Sequence, residues 1–221
     1  MIYLFHEESG KADITLKDDA FKHMIKARRQ TVGDSILLRK LDDEYNYTYT
    51  ITQSTKKEAT LHLEHKELVS QKLKPLHIAW CMIDPKSIEK VLPSLCELGV
   101  TAISFIYANR SQKNFSLDEK RLERILINSM QQCGRFHKMR LEIDVSLDDF
   151  IRENPKTVVL DFCDQILSSE DSCQSVLLGP EGGFDEQEKE LLKILEVRRL
   201  DTPMVLRSET AALAIASKLL L

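Results

Sequence analysis

The residues with the most chemical content lie in one run, Val176-Leu177-Leu178-Gly179-Pro180-Glu181-Gly182-Gly183-Phe184-Asp185, which holds three of the chain's seven glycines. An apolar segment that reads as a buried strand leads into a glycine-rich loop and then into a helix, with Asp185 as N-cap and Glu188 completing a capping box. At the carboxyl end of a strand in an α/β sheet such a loop is where ligands bind. Its glycines are expected to supply positive φ and close backbone approach. Phosphate is the usual guest of a strand, loop and helix in this order. Here Glu181, Asp185, Glu186 and Glu188 crowd the loop, and no lysine follows it as in GxxxxGK[ST]. A cationic or neutral ligand suits it better; from the loop alone, a strand-to-helix turn with no ligand stands equally open.

A second segment, Leu206-Arg207-Ser208-Glu209-Thr210-Ala211-Ala212-Leu213-Ala214-Ile215-Ala216, starts an alanine-rich helix that allows close packing, within the chain or against a second subunit. Arg207 at its polar entrance reads as a functional cation or as half of a surface ion pair. A third, Asn128-Ser129-Met130-Gln131-Gln132-Cys133-Gly134-Arg135, ends a helix at Gly134. Arg135, His137, Lys138 and Arg140 follow it, and Lys22, His23, Lys26, Arg28 and Arg29 form a basic set near the start of the chain. Each set is a solvated basic face or a row of phosphate contacts. Net charge is −4, but residues 110–140 carry eight Lys or Arg against three Asp or Glu, and residues 141–221 eight against seventeen. Basic surface for nucleic acid is therefore local, not global.

The elements that must position these residues fall into two sets. Residues 1–5, 35–39 and 56–64 read as strands, and Tyr45 to Thr52 alternates aromatic or β-branched with polar residues, the period of a half-exposed strand. With a turn at Val32-Gly33-Asp34 and a helix over 18–29, this is a small β-rich domain, expected to be a barrel over 1–70. Residues 67–74 are polar, end at Pro75 and read as a linker. From there to 221, buried strands at 76–83, 103–107, 158–160 and 176–178 alternate with helices at 85–98, 118–132, 185–196 and 209–220, which predicts a parallel sheet covered on both faces. No apolar run approaches a membrane span and 1–5 lacks a basic leader, so a cytoplasmic protein is expected. Five cysteines without a CxxC pair, and no H-E-x-x-H or G-x-S-x-G, point to neither a disulfide framework, a metal nor a serine nucleophile.

Taken in order, Glu97-Leu98-Gly99-Val100, Gln132-Cys133-Gly134-Arg135, Leu177-Leu178-Gly179-Pro180-Glu181-Gly182-Gly183-Phe184 and Leu206-Arg207-Ser208-Glu209-Thr210-Ala211 resemble the RsmE-type ribosomal RNA methyltransferases of the SPOUT class. The resemblance implies a PUA-like, barrel-type RNA-binding domain over 1–70 and a SPOUT α/β methyltransferase domain with a trefoil knot over 71–221. It implies a homodimer that uses S-adenosyl-L-methionine (SAM) to methylate N3 of one uridine in the decoding region of 16S ribosomal RNA, on free RNA or the small subunit. On that likeness SAM is bound by Leu178, Gly179, Pro180, Glu181, Gly182 and Gly183 together with Leu200, Asp201, Thr202 and Leu206. Arg207 and Glu209 are the catalytic candidates. Lys22, His23, Arg28, Arg29, Arg110, Gln132 and Arg135 are the RNA-binding candidates. The chain departs from the family's pattern at Asp201-Thr202-Pro203-Met204-Val205, where a glycine and a basic residue are usual, and at Gln131, where Glu is usual. A non-catalytic RNA-binding assembly factor on the same fold, and a nucleotide-dependent α/β enzyme, are the competing readings.

Overall fold

The alternating 45–52 segment folds as it reads. In the computed structural model, which describes residues 2–111 and 116–221, it lies in β4 (Tyr45–Ser54), where Tyr47, Tyr49 and Ile51 are buried and Thr48 and Thr50 are half-buried. The contacts of the chain divide it into two units: 1–72 with 130–137, and 73–129 with 138–221. Residues 130–137, expected in the second domain, thus belong with the first unit.

In the first unit β1 (Leu4–Phe5), β2 (Asp13–Leu16), β3 (Ser35–Arg39), β4 and β5 (Ala59–Leu68) form one sheet in the order β1-β3-β4-β5-β2. Only the β1–β3 pair is parallel. β1 and β2 end this order without pairing to each other, so the expected barrel is a curled, open sheet. Its concave side covers Ile14, Leu16, Leu38, Tyr49, Ile51 and Leu61. The helix expected over 18–29 is shorter: α1 (Asp18–Phe21) runs into one π turn at Lys22–Lys26, with the Ala27 N–H donating to the Lys22 carbonyl at 2.9 Å. Phe21, Met24 and Ile25 are buried. A regular helix would swing Arg28, seven residues after Phe21, onto that same apolar face; the π turn ends the helix first, and Arg28 stays exposed.

In the second unit β6 (His77–Cys81), β7 (Ala102–Ile106), β8 (Arg140–Val145), β9 (Val158–Leu160), β10 (Ser175–Leu178) and β11 (Glu196–Arg198) form a six-stranded parallel sheet in the order β11-β9-β10-β6-β7-β8. Central strands buried on both faces must be apolar throughout, as Ile78 to Cys81 and Val176 to Leu178 are. α2 (Pro85–Leu98) starts under an Asp84 cap and stops at Gly99, φ 98°; α3 (Glu119–Cys133), whose residues from Met130 on count with the first unit, stops at Gly134, φ 84°. α4 (Leu147–Glu153), β8 and β11 are elements the sequence pattern does not announce. The helix expected over 185–196 is only α5 (Glu186–Leu192), because Leu195 and Val197 join Leu192 in the core by turning the chain into edge strand β11. α6 (Ser208–Leu220) buries Ala211, Ala212, Ile215 and Ala216 and packs against α2 of the same chain. The alanine stripe is thus accounted for within one chain. All five cysteines are free. Among the described residues no helix is long and apolar enough to cross a membrane.

At the amino-terminal edge of this sheet three strands are cross-linked by polar side chains. His77 Nε2 lies 2.7 Å from Ser104 Oγ, the Ser104 hydroxyl donates to Glu142 Oε2, and Arg140 Nε is 3.0 Å from Glu142 Oε1. Burial holds the His77 pKa below its ordinary 6.5, against the opposing pull of Glu142. The unfolded chain therefore binds the His77 proton at higher pH than the fold does, and stability falls as pH drops through about 6.5. In thermal unfolding at stepped pH from 7.5 to 5, the melting temperature of the wild type should fall relative to that of His77→Gln; parallel slopes would contradict it.

Candidate functional site

β10 ends at Leu178 in the middle of the sheet, and β9 ends beside it at Leu160. The chain segments leaving these two strands, together with the segment that leads from β11 to α6, enclose a cleft of about 730 Å³. This is the carboxyl edge of a parallel sheet, where strand ends leave room for a ligand. Of the residues expected to hold a cofactor, Leu178, Gly179, Pro180, Glu181, Gly182, Gly183, Leu200, Thr202 and Leu206 line the cleft. Asp201 does not line it: its side chain is turned to solvent, 72% exposed, 4.0 Å from Arg199.

The glycine loop is shaped by contacts more than by unusual φ. Only Gly183 has positive φ, 69°, which corrects the expectation for Gly179 and Gly182. A Cβ on Gly179 would stand 2.9 Å from the ring of Phe184, and one on Gly182 would stand 3.3 Å from Arg110 Cβ. Phe184 is buried, so the loop folds back on its own first residue. The capping box is present as read: Asp185 Oδ1 accepts from the Glu188 N–H at 2.8 Å, and Glu188 Oε2 accepts from the Asp185 N–H at 2.9 Å. Hydrogen bonds to the capping carboxylate, from the Glu188 N–H first, hold the Asp185 pKa below the usual carboxylate range. The Gly183 N–H is bonded to the Pro180 carbonyl. The Gly183 and Asp185 amides are thus used inside the loop, while a phosphate site needs such amides aimed outward.

The rest of the cleft lining is part apolar and part charged. Phe162, Met204 and Val205 line it while being 79%, 69% and 79% exposed. Asp161 and Glu181 contribute carboxylates; Arg110, Lys189, Arg199 and Arg207 contribute cations. Lys189 is paired with Glu186 at 2.8 Å, and Arg110 donates to the Gly182 carbonyl at 3.1 Å. Arg207, the residue before α6, is exposed and has no carboxylate partner among the described residues; its carbonyl accepts from the Ala211 N–H at 2.8 Å. Trp80 Nε1 donates to Ser208 Oγ at 2.7 Å, pinning the start of that helix to β6. Glu209 is outside the cleft lining, in the first turn of α6, where an acid complements the helix dipole.

Of the residues expected to touch RNA, Lys22, His23, Arg28 and Arg29 are exposed on the π turn and the residues after it, and Gln132 is exposed at the end of α3. Arg110 belongs to the cleft. Arg135 is a correction: it is 4% exposed, and its Nε donates to the His137 carbonyl at 2.6 Å, so it closes its own turn. Asp161, Phe162 and Arg199 were not read from the sequence. Their signal is the strand Val158-Val159-Leu160, but only the sheet order places its end beside β10.

The RNA methyltransferase domain family matches residues 70–220. The ribosomal RNA small subunit methyltransferase E of Helicobacter pylori strain 26695 is 37% identical over 98% of this chain and 98% of its own length. The chain belongs to the ribosomal RNA small subunit methyltransferase E family. The Aquifex aeolicus member is 31% identical over 99% of both chains. Among solved structures, a methyltransferase from Legionella pneumophila in complex with SAM superposes with a TM-score of 0.78 at 26% identity, covering 99% of this chain and 95% of that one. The small subunit methyltransferase E of Neisseria gonorrhoeae, bound to SAM, gives 0.75 at 20% identity over 98% and 95%. Curled sheet and parallel sheet together are therefore the fold of this family.

Proposed function

We propose that this chain, an RNA methyltransferase by family, methylates N3 of one uridine in the decoding region of 16S ribosomal RNA with SAM as methyl donor. The observation that carries the choice of cofactor is the loop from Gly179 to Asp185: no room for a side chain at Gly179, the Gly183 and Asp185 amides used internally, and acid at its edge. That cradle suits a cation and a flat apolar ring better than a phosphate. SAM, when bound, supplies a methyl group on a sulfonium cation. Phe162, Met204, Val205 and Leu206 would cover the adenine, while Asp161 and Glu181 offer acceptors to the hydroxyls and ammonium of such a ligand. Arg207 would face the uracil ring and stabilise the negative charge left as the N3 proton passes to water; the methyl group would then move from the sulfonium to N3, with S-adenosylhomocysteine as the leaving group. Holding the two reactants in line supplies much of the remaining rate. Asp201, Glu209 and Arg135 have no part in this assignment.

The reading includes three features of the resembling family. They are a PUA-like role for the first unit in holding RNA, a trefoil knot in the second and a homodimer. Support for the knot is that the segments after β9, after β10 and before α6 meet at one cleft. Mass spectrometry of ribosomal RNA from cells with and without the gene, before and after treatment with the purified protein and SAM, tests the activity. A gene-dependent 3-methyluridine restored in vitro is expected. SAM uptake without any methyl transfer would identify a non-catalytic RNA-binding factor instead.

Arg28 and Arg29 test the RNA-binding half. Replacing both with Ala should weaken RNA binding evenly across sequences and reduce the salt dependence by about two phosphate contacts, with SAM affinity unchanged. An unaltered salt slope would remove this face from the RNA contact.

A further inference from the structure

Asn109 sits just after β7, two strands from β10 in the sheet order, yet it is bonded to both members of the α5 capping box. Its backbone N–H donates to Glu188 Oε1 at 2.6 Å, and its side-chain Nδ2 donates to Asp185 Oδ2 at 2.8 Å. With the two bonds inside the box, each of the four carboxylate oxygens of Asp185 and Glu188 accepts one hydrogen bond. Glu188 is 6% exposed, and a buried carboxylate of that kind is tolerated only when its oxygens are satisfied. The turn that presents Asn109 is itself closed, by the Ser111 N–H on the Ala108 carbonyl at 2.9 Å and the Ala108 N–H on Ser111 Oγ at 3.1 Å. The next residue, Arg110, holds the Gly182 carbonyl.

The glycine loop is therefore anchored at one end by β10, in the middle by Arg110, and at the far end by the ring that Asn109 closes. We infer that Asn109 is a positioning residue for the cofactor loop: it fixes the Asp185 end of the segment from Gly179 to Phe184 and so pre-shapes the cradle for SAM. This rests on the cofactor reading above. Preorganisation of this sort shows in binding, because a loop that must be ordered by the ligand lowers affinity. Asn109 is not among the residues lining the cleft and touches no reacting atom, so its loss should act on cofactor uptake and leave the chemical step alone.

The test is a reciprocal exchange. Asn109→Asp replaces the Nδ2 donor with a carboxylate facing Asp185; Asp185→Asn still serves as an N-cap and can pair with Asn109 only after one of the two amides flips. The double variant restores one donor facing one acceptor, with the original net charge. By calorimetry on the full chain, Asn109→Asp should raise the Kd for SAM about tenfold, the scale of a lost hydrogen bond with added repulsion. Asp185→Asn should raise it less, and the double variant should recover most of the Asn109→Asp loss, the coupling a cycle of neighbours shows. Methylation kinetics should show a raised KM for SAM with kcat unchanged, and RNA affinity should not move. Asn109→Ala, which introduces no charge, is the milder check and should raise Kd by a few-fold. If Asn109→Asp lowers the melting temperature but binds SAM as the wild type does, or if the double variant is no better than Asn109→Asp, the inference is overturned. A wild-type chain that takes up no SAM overturns the cofactor reading and the inference with it.

Discussion

Arg207→Ala is expected to slow single-turnover methylation by ~10²-fold at saturating RNA and SAM, the effect of removing one preorganised stabilising group from a site of developing charge. SAM affinity should stay near wild type. The reason lies in how the side chain is presented. Arg207 lines the cleft, is exposed, and has no carboxylate among the described residues to neutralise it. Its backbone is held by the Ala211 N–H and by the Trp80–Ser208 bond one residue on. Arg207→Lys keeps charge but loses the planar fork, so it should recover part of the rate. A full rate in Arg207→Ala, measured by rapid quench, would pass the role to Arg110 or Arg199, the other arginines of the cleft.

Gly179→Ala is expected to weaken SAM binding by ~10- to 100-fold, read by calorimetry. The added Cβ would meet Phe184 at 2.9 Å, and that ring is 3% exposed among Ala79, Cys81 and Leu177, with little room to retreat. Overpacking of this kind costs ~1–3 kcal/mol, and much of it should emerge as a displaced loop. Gly183→Ala is the instructive contrast. A Cβ there meets nothing within 4 Å, so its penalty is only that of φ 69° for a residue with a side chain. Its effect should be the smaller of the two. Affinity unchanged in Gly179→Ala would show that the loop is not the cofactor's cradle.

The two substitutions also mark how far reading from residues reaches. That the segment from Val176 to Asp185 is strand, glycine turn and capped helix follows from short-range chemistry, and the structure has all three. Which glycine is needed for which reason does not follow. Positive φ occurs only at Gly183 of the three, while Gly179 is needed because a phenylalanine five residues later folds back on it. The basic residues divide in the same way. Arg28 and Arg135 are equally cationic in the sequence, but Arg28 is exposed and Arg135 is buried in its own turn.

The sequence by itself determined the apolar central strands, the cap of α5, the glycine stop of α3 and the shift from β-rich to alternating pattern near residue 70. All of these rest on hydrogen bonds and side-chain periods that span a few residues, so they are written in neighbouring positions. Tertiary structure alone decided that β9 lies beside β10, bringing Asp161 and Phe162 to the cleft, and that Asn109 reaches the α5 cap 76 residues away. It also decided that the chain turns to β11 after Leu192 and that residues 130–137 join the first unit. Strand order and burial are set by which apolar faces can be covered together across the whole chain, and no local window holds that information.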